Sequence, residues 1–185
     1  MRAIGFISAN DPEARLLGSI ERCIEEHACE RVYLLSPSAE LGPSPDQAPD
    51  LIEIALSGAP SGIDALLAAR RRARLLQRTY TVPASPTKSI ELLGDRLVLL
   101  TAEKGDLDEE DIMNVNAILF GDSDEPFAKL FGPRLFASPG KTPGAYGVLS
   151  RDLRGFLDAK IHSRDGALLA HAATEGGRAR FTISS

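Results

Sequence analysis

Short apolar runs separated by turns dominate the pattern in the second half of the chain. The runs Leu97–Leu100, Ala117–Phe120 and Arg134–Ala137 each have the length of a β-strand. Each is followed by a polar or Gly/Pro-rich turn, and these turns span Thr101–Asp106, Gly121–Pro126 and Ser138–Pro143. Loops at the same ends of neighbouring strands converge on one surface of a layered α/β fold. We therefore expect these three turns to build the functional site.

The N-terminal half mixes strands with helices. Arg2–Ser8 and Arg31–Leu35 are short apolar, β-rich runs that predict central strands. Between them, apolar residues repeat at helical spacing from Pro12 to about His27, and Asp11 is a good N-cap for that helix. The pattern then predicts a loop over Ser36–Pro49, a strand over Asp50–Leu56 and a helix from Ser61 to about Arg78.

The remaining pattern favours β-structure. Thr79–Val82 predicts an edge strand, and two runs flanking Gly94-Asp95 predict a hairpin, Ser89–Leu93 with Arg96–Leu100. The carboxylates of Asp108–Asp111 are typical of the start of a short helix. Four further strands are predicted, over Ala145–Ser150, Gly155–Ser163, Gly166–Ala172 and Arg178–Ile183. With no linker or repeat in the pattern, residues 1–185 are predicted to form a single α/β domain.

Composition narrows the classes of partner. The chain has 185 residues, 43% of them hydrophobic and 25% charged, with a net charge of −5. This acidic balance argues against non-specific binding to nucleic acid or anionic membranes. No apolar run approaches the roughly 20 residues that cross a bilayer, and the start of the chain lacks a signal-peptide layout. We expect a cytoplasmic protein without membrane association. Cys23 and Cys29 lack further ligands at metal spacing, so buried thiols are expected.

Arginines mark one face of the predicted helix over residues 61–78. Arg70, Arg74 and Arg78 are four residues apart, which places them on one side of a helix. One interpretation is a solvated face that partly balances an acidic protein. The other is a docking stripe for an acidic partner or a phosphate group. The opposite, buried side of the helix is expected to use Leu66, Leu67, Leu75 and Leu76.

The turns after the second and third runs carry a resemblance to a known family. They read Gly-Asp-Ser-Asp-Glu-Pro from Gly121 and Ser-Pro-Gly-Lys from Ser138, each after an apolar strand. This succession resembles the C-terminal half of the calcineurin-like metallophosphoesterases. The closest branch is the small single-domain one, which includes bacterial phosphodiesterases and the retromer scaffold subunit. The resemblance extends from Met1 to about Ala170. It implies a four-layer αββα sandwich of two mixed β-sheets flanked by helices.

The residues that the family uses for chemistry are replaced in this sequence. Family members hold two adjacent cations through His, Asp and Asn side chains, and the cations activate water and stabilise charge on the phosphoryl group. The turn that carries His-Gly in the family reads Thr-Ala-Glu-Lys-Gly here. No histidine of the chain falls at a motif position. The matching positions hold Ala9, Asp11, Pro37, Ala59, Ala102, Asp122, Asp124 and Lys141.

Two functions are compatible with these replacements. The leading hypothesis is a non-catalytic binding or scaffold module without a metal cofactor, whose protein partner meets the pocket rim, the loop over Ser36–Pro49 or the arginine stripe. The alternative is a rewired metal-dependent phosphoesterase in which Asp11, Asp122 and Asp124 hold one Mg²⁺ or Mn²⁺. In the alternative, Lys104, Lys141 or Arg134 would meet the phosphate. The lysines could instead pair with the carboxylates and fill the pocket. Binding of a small phosphate ligand is compatible with both hypotheses.

Overall fold

The computed structural model describes residues 2–8, 12–36 and 60–174, and these contain fourteen α-helices and β-strands together with one π-helical turn. In chain order they are β1 (Arg2–Ile7), α1 (Glu13–Glu21), the π-helical turn (Arg22–Glu26), β2 (Arg31–Leu34), α2 (Pro60–Leu76), β3 (Thr79–Thr81), β4 (Ser89–Leu93), β5 (Arg96–Thr101), α3 (Glu109–Asn114), β6 (Ala117–Phe120), β7 (Phe127–Phe131), β8 (Arg134–Ser138), β9 (Tyr146–Arg151), β10 (Leu157–His162) and β11 (Leu168–Ala173).

The strands form two mixed sheets. The larger sheet has six strands in the order β11-β10-β9-β1-β2-β3, with β1, β2 and β3 parallel and the other three antiparallel. The smaller sheet has five strands in the order β4-β5-β6-β8-β7. Its three central strands are parallel, and β4 and β7 close it as antiparallel edges. The predicted α/β class with two mixed sheets is confirmed.

The two sheets pack face to face, and helices lie outside both. Their inner faces share one apolar core, in which Phe6 and Leu149 of the larger sheet meet Leu100 and Leu119 of the smaller one. Helix α1 and the π-helical turn cover the larger sheet through Leu16, Ile20, Cys23 and Ile24. Helix α3 contributes Ile112 to a third cluster on the outside of the smaller sheet. The resulting layer order is α-β-β-α, as the resemblance implied.

Local sequence explains the start of the shortest helix. Asp108 is the N-cap of α3, and its side chain accepts a hydrogen bond from the Asp111 amide at 2.8 Å. The Asp111 carboxylate accepts in return from the Asp108 amide at 3.1 Å, which completes a capping box. The acidic run Asp108–Asp111 therefore begins a helix, as predicted.

Both cysteines are free and buried. Burial, the largest cause, and the neighbouring Cys29 thiol raise the pKa of Cys23 well above its ordinary value. A protonated thiol is a poor nucleophile and a poor metal ligand. The expectation of buried thiols is confirmed.

Among the described residues, the contacts of helix α2 with the rest of the protein lie mainly in its C-terminal half. Leu75 is buried, but Leu67 is 58% exposed, so the expectation that Leu67 is buried was wrong. The reason is that ion pairs join the second half of α2 to α1 and the π-helical turn, Arg72 with Glu13 at 2.7 Å and Arg74 with Glu25 at 2.9 Å. Leu67 lies in the first half of α2, N-terminal to these contacts.

One strand was not predicted, and two predicted strands cannot be compared. Strand β7 forms a hairpin with β8 across Gly132, whose φ of +59° is readily adopted by glycine. The predicted strands over Asp50–Leu56 and Arg178–Ile183, and the predicted loop from Pro37 onward, lie outside the described residues. Within residues 2–8, 12–36 and 60–174, no helix is long and apolar enough to span a membrane.

Candidate functional site

Four strand ends from the two sheets meet at Gly121. The Ser8 hydroxyl, just after β1, donates a hydrogen bond to the Gly121 carbonyl at 3.2 Å. The Gly121 amide donates to the carbonyl of Ala102, just after β5, at 3.1 Å. The carbonyl oxygen of Leu35, just after β2, is so close that a Cβ on Gly121 would lie 2.3 Å from it. Glycine at this position therefore lets the two sheets approach each other.

The turn after β8 packs against the turn after β6. Gly140 has a φ of +71°, and a Cβ there would lie 2.4 Å from the Glu125 carbonyl carbon. The Lys141 amide donates to the Asp124 carbonyl at 3.3 Å. We call the three adjoining turns, residues 102–106, 121–126 and 138–141, the rim. The predicted convergence of these turns is confirmed.

The Asp122 side chain holds the turn after β5. Its Oδ1 accepts a hydrogen bond from the backbone amide of Lys104 at 2.9 Å. The Lys104 ammonium lies elsewhere, with Nζ 5.9 Å from the centroid of the Phe120 ring. The partner of Asp122 is thus the Lys104 amide rather than the Lys104 ammonium.

Asp124 forms an ion pair with Lys141 across the rim. Lys141 Nζ lies 2.6 Å from Asp124 Oδ1. The Lys141 side chain is 56% exposed and the Asp124 side chain is 86% exposed. The hydrogen bond from Lys141 lowers the pKa of Asp124, and the same contact raises the pKa of Lys141. Solvent screens so exposed a pair, so it adds little to the stability of the fold. The sequence left open whether a lysine pairs with a rim carboxylate, and in the structure Lys141 pairs with Asp124.

The described part of the rim does not fit the two-cation site of the family. The carboxylates of Asp122 and Asp124 bind two different N–H groups, an ammonium stands at position 141, and Ala102 offers only a methyl group. In residues 2–8, 12–36 and 60–174, no group of three or more His, Cys, Asp and Glu side chains is placed to share a metal ion. The other predicted site positions, Ala9, Asp11, Pro37 and Ala59, lie outside the described residues.

Arg134 does not belong to the rim. It begins β8, whereas the rim adjoins the end of that strand at Ser138, and its guanidinium donates to the Met113 carbonyl at 2.9 Å. Four steps of extended chain separate the two ends by about 13 Å. The expectation that Arg134 could meet a phosphate at the site was wrong, because strand direction carries it to the opposite end of the sheet.

The three histidines lie on the other sheet or beside it. His27 contacts the Tyr146 hydroxyl at 3.3 Å, and its ring centroid lies 4.9 Å from that of His162. Burial, followed by the charge of His162, lowers the pKa of His27. His171 contacts Asp158 at 2.7 Å within the β10–β11 pair. None of them reaches the rim.

The arginine stripe of α2 is partly engaged inside the molecule. Arg74 pairs with Glu25, and Arg78 donates to the carbonyls of Glu30, at 3.1 Å, and of Cys29. Arg70 is exposed and forms no ion pair with the residues described here. Arg74 therefore holds α2 against the π-helical turn, and Arg78, just after α2, contacts the loop before β2, while the Arg74 side chain is still 70% exposed.

Comparison with known proteins identifies the fold. No protein-family model and no curated protein matches the chain. Among solved structures, a conserved protein of Streptococcus pneumoniae described as a predicted phosphoesterase superposes with a TM-score of 0.60 at 16% identity, over 93% of this chain and 96% of that one. YfcE, a phosphoesterase from E. coli, gives a TM-score of 0.55 at 14% identity, over 94% and 100%. The chain has the metallophosphoesterase fold.

A third solved structure, that of Vps29, has the same fold. Vps29 from Entamoeba histolytica, in a structure complexed with Zn²⁺, gives a TM-score of 0.53 at 14% identity, over 94% of this chain and 99% of that one. All these identities are low, so the comparisons establish the architecture and leave the chemistry to the side chains. The metallophosphoesterase fold accounts for the paired sheets and for the position of the rim at their strand ends.

Proposed function

We propose that this chain is a non-catalytic protein of the metallophosphoesterase fold that acts as a binding or scaffold module. The observation that carries the proposal is the ion pair between Lys141 and Asp124 at 2.6 Å. Hydrolysis on this fold needs adjacent cations, which activate water and stabilise the charge that develops on the phosphoryl oxygens. An ammonium bound to a rim carboxylate fills a coordination position with a like charge and repels such cations.

The sequence around the rim supports the same proposal. Ala9, Pro37, Ala59 and Ala102 offer no side-chain donor atoms at positions where the family places ligands. Asp122 is committed to the Lys104 amide. A site that needs several His, Asp and Asn ligands at once has lost most of them, and restoring one ligand would not rebuild it.

We infer that the ligand is a protein partner. We also propose that residues 1–185 act as a single domain in the cytoplasm. The arginine stripe of α2 supports this inference, because the exposed guanidinium of Arg70 lies one turn from the exposed side chain of Leu67. Arg74 extends the same face to the π-helical turn, and Arg78 extends it to the loop before β2. A cationic face beside an apolar side chain suits a partner that presents acidic and apolar groups together. The retromer scaffold subunit, in the branch that the sequence resembles, is the precedent.

A rewired phosphoesterase is the second candidate. It would use Asp11, Asp122 and Asp124 with one Mg²⁺ or Mn²⁺. The exposure of Asp122 and Asp124 on one turn favours it, because an exposed ion pair is weak and a divalent cation could compete with Lys141.

Hydrolysis of bis(4-nitrophenyl) phosphate separates the two candidates. We expect metal-stripped protein supplied with Mn²⁺ or Mg²⁺ to show no turnover above the buffer rate, because the rim lacks the ligands for adjacent cations. The matched variants are Asp122→Ala and Asp124→Ala, with Asp64→Ala on the exposed surface of α2 as the control. Metal-dependent turnover that disappears in Asp124→Ala and survives in Asp64→Ala would establish the phosphoesterase instead.

A further inference from the structure

A cavity lies outside the larger sheet, away from the rim. It has a volume of about 300 Å³ and is formed between α1 with the π-helical turn and the tight turn that joins β10 to β11. Gly18 and Ser19 form its helical wall, and Arg164 and Asp165 lie on the opposite side. A volume of about 300 Å³ is at the lower end of the range for sites that bind small molecules.

Three arginines surround this cavity. Arg15 and Arg22 come from the helical side and Arg164 from the turn, against one carboxylate, Asp165. The lining side chains therefore carry three positive charges and one negative charge, for a formal charge of +2. Guanidinium groups present several N–H donors in a planar fork that matches phosphate oxygens, and a phosphate ester carries close to two negative charges at neutral pH.

Contacts within the protein hold the two key arginines in place. The Arg22 guanidinium lies 3.4 Å from the Glu26 carboxylate, and its Nη1 would be 3.3 Å from a Cβ on Gly166, in the β10–β11 turn. The stem of Arg164 packs on Gly144, where a Cβ would lie 2.9 Å from the Arg164 Cβ. The Gly144 carbonyl in turn accepts from the buried Ser19 hydroxyl at 3.1 Å. Preorganised donors lose less entropy when they bind a ligand.

Glycine keeps the helical wall open. No heavy atom lies within 4 Å of the position that a Cβ on Gly18 would take. Glycine in the interior of a helix costs roughly 0.5–1 kcal/mol relative to alanine. The surface beside Gly18 is therefore open on the cavity side, and a large side chain at this position would extend into the cavity.

We propose that this cavity binds a small phosphorylated molecule through its phosphate group, with Arg22 and Arg164 as the main ligands. Asp165 would accept a hydroxyl of the same molecule, since a carboxylate is a hydrogen-bond acceptor only. The site is distinct from the rim, so phosphate would bind here whether or not the rim has any activity.

Titration with pyrophosphate, followed by the amide resonances of Gly18 and Gly166, tests the proposal. We expect saturable shifts in the wild-type protein and at least about tenfold weaker binding in Arg22→Ala and Arg164→Ala, because each removes a charge-assisted hydrogen bond. Gly18→Glu should abolish binding, since it places a carboxylate in the cavity. Arg154→Ala, in the β9–β10 turn at the opposite end of the sheet, should leave binding unchanged.

Two results would overturn the proposal. One is the absence of saturable shifts at millimolar pyrophosphate in the wild-type protein. The other is binding that is equally strong in Arg22→Ala, Arg164→Ala and Arg154→Ala, which would show only non-specific attraction to arginines. Circular dichroism of each variant establishes that it is folded, so a lost shift reports the site. The hydrolysis assay at the rim does not depend on these arginines, so the two proposals fail separately.

Discussion

Replacing Gly121 by alanine is expected to lower the free energy of unfolding by about 3 kcal/mol, at the upper end of typical overpacking costs. The added Cβ would lie 2.3 Å from the Leu35 carbonyl oxygen and 3.1 Å from the Ala102 carbonyl oxygen, and both are backbone atoms that no side-chain rotation can move. The strand ends of the two sheets would have to separate. That movement would also weaken the hydrogen bond from the buried Ser8 hydroxyl to the Gly121 carbonyl.

Urea unfolding followed by circular dichroism measures this change, and the same rim supplies a control. Gly105 has no heavy atom within 4 Å of its Cβ position, so Gly105→Ala should change stability by less than about 0.5 kcal/mol. Equal denaturant slopes in the three proteins would show that the difference lies in stability. If Gly121→Ala is as stable as Gly105→Ala, the strand ends do not meet as described.

The second large effect is expected at Gly147 in β9. This residue pairs with Phe6 of β1, whose ring lies across it, and a Cβ on Gly147 would lie 2.2 Å from two atoms of that ring. Phe6 is fully buried between the sheets, so its ring has no free space to enter. Gly147→Ala should therefore destabilise the protein by about 3 kcal/mol through overpacking.

A double-mutant cycle identifies the cause. Phe6→Leu removes the ring atoms in conflict, and alone it should cost about 1 kcal/mol as a swap between apolar side chains. Combined with Gly147→Ala, it should recover about 1–2 kcal/mol of the loss, which is within the usual range of coupling between contacting residues. Additive costs would mean that the ring does not lie over Gly147.

Hydrophobic periodicity was enough to predict most of the described architecture. The runs Arg2–Ser8, Ala117–Phe120 and Arg134–Ala137 become central strands because they are too short and too apolar to be surface helices. Strand β7 was not predicted, although Gly132-Pro133 between two apolar runs was a usable turn signal. The prediction for Leu67 was wrong because periodicity shows only which face of a helix is apolar. How much of that face is buried depends on tertiary packing.

The site could be predicted only in outline. The sequence showed that the turns holding Ala102, Asp122 and Lys141 lie at neighbouring strand ends, because strand direction determines which loops converge. It left open whether a lysine pairs with a carboxylate, since that depends on how the turn at Gly140 aims Lys141 at Asp124. The arginine cavity gave no sequence signal, because Arg22 and Arg164 are far apart in the chain.

The central claim is that the rim carboxylates of Asp122 and Asp124 are engaged by protein N–H groups and do not form a cation site. Calorimetric titration of metal-stripped protein with Mn²⁺ tests it most directly, with Asp124→Ala and Lys141→Ala alongside the wild type. The claim predicts no saturable heat in any of the three, because Asp122 still binds the Lys104 amide when Lys141 is removed. Stoichiometric heat in the wild type that disappears in Asp124→Ala would contradict it and make the rim a metal site.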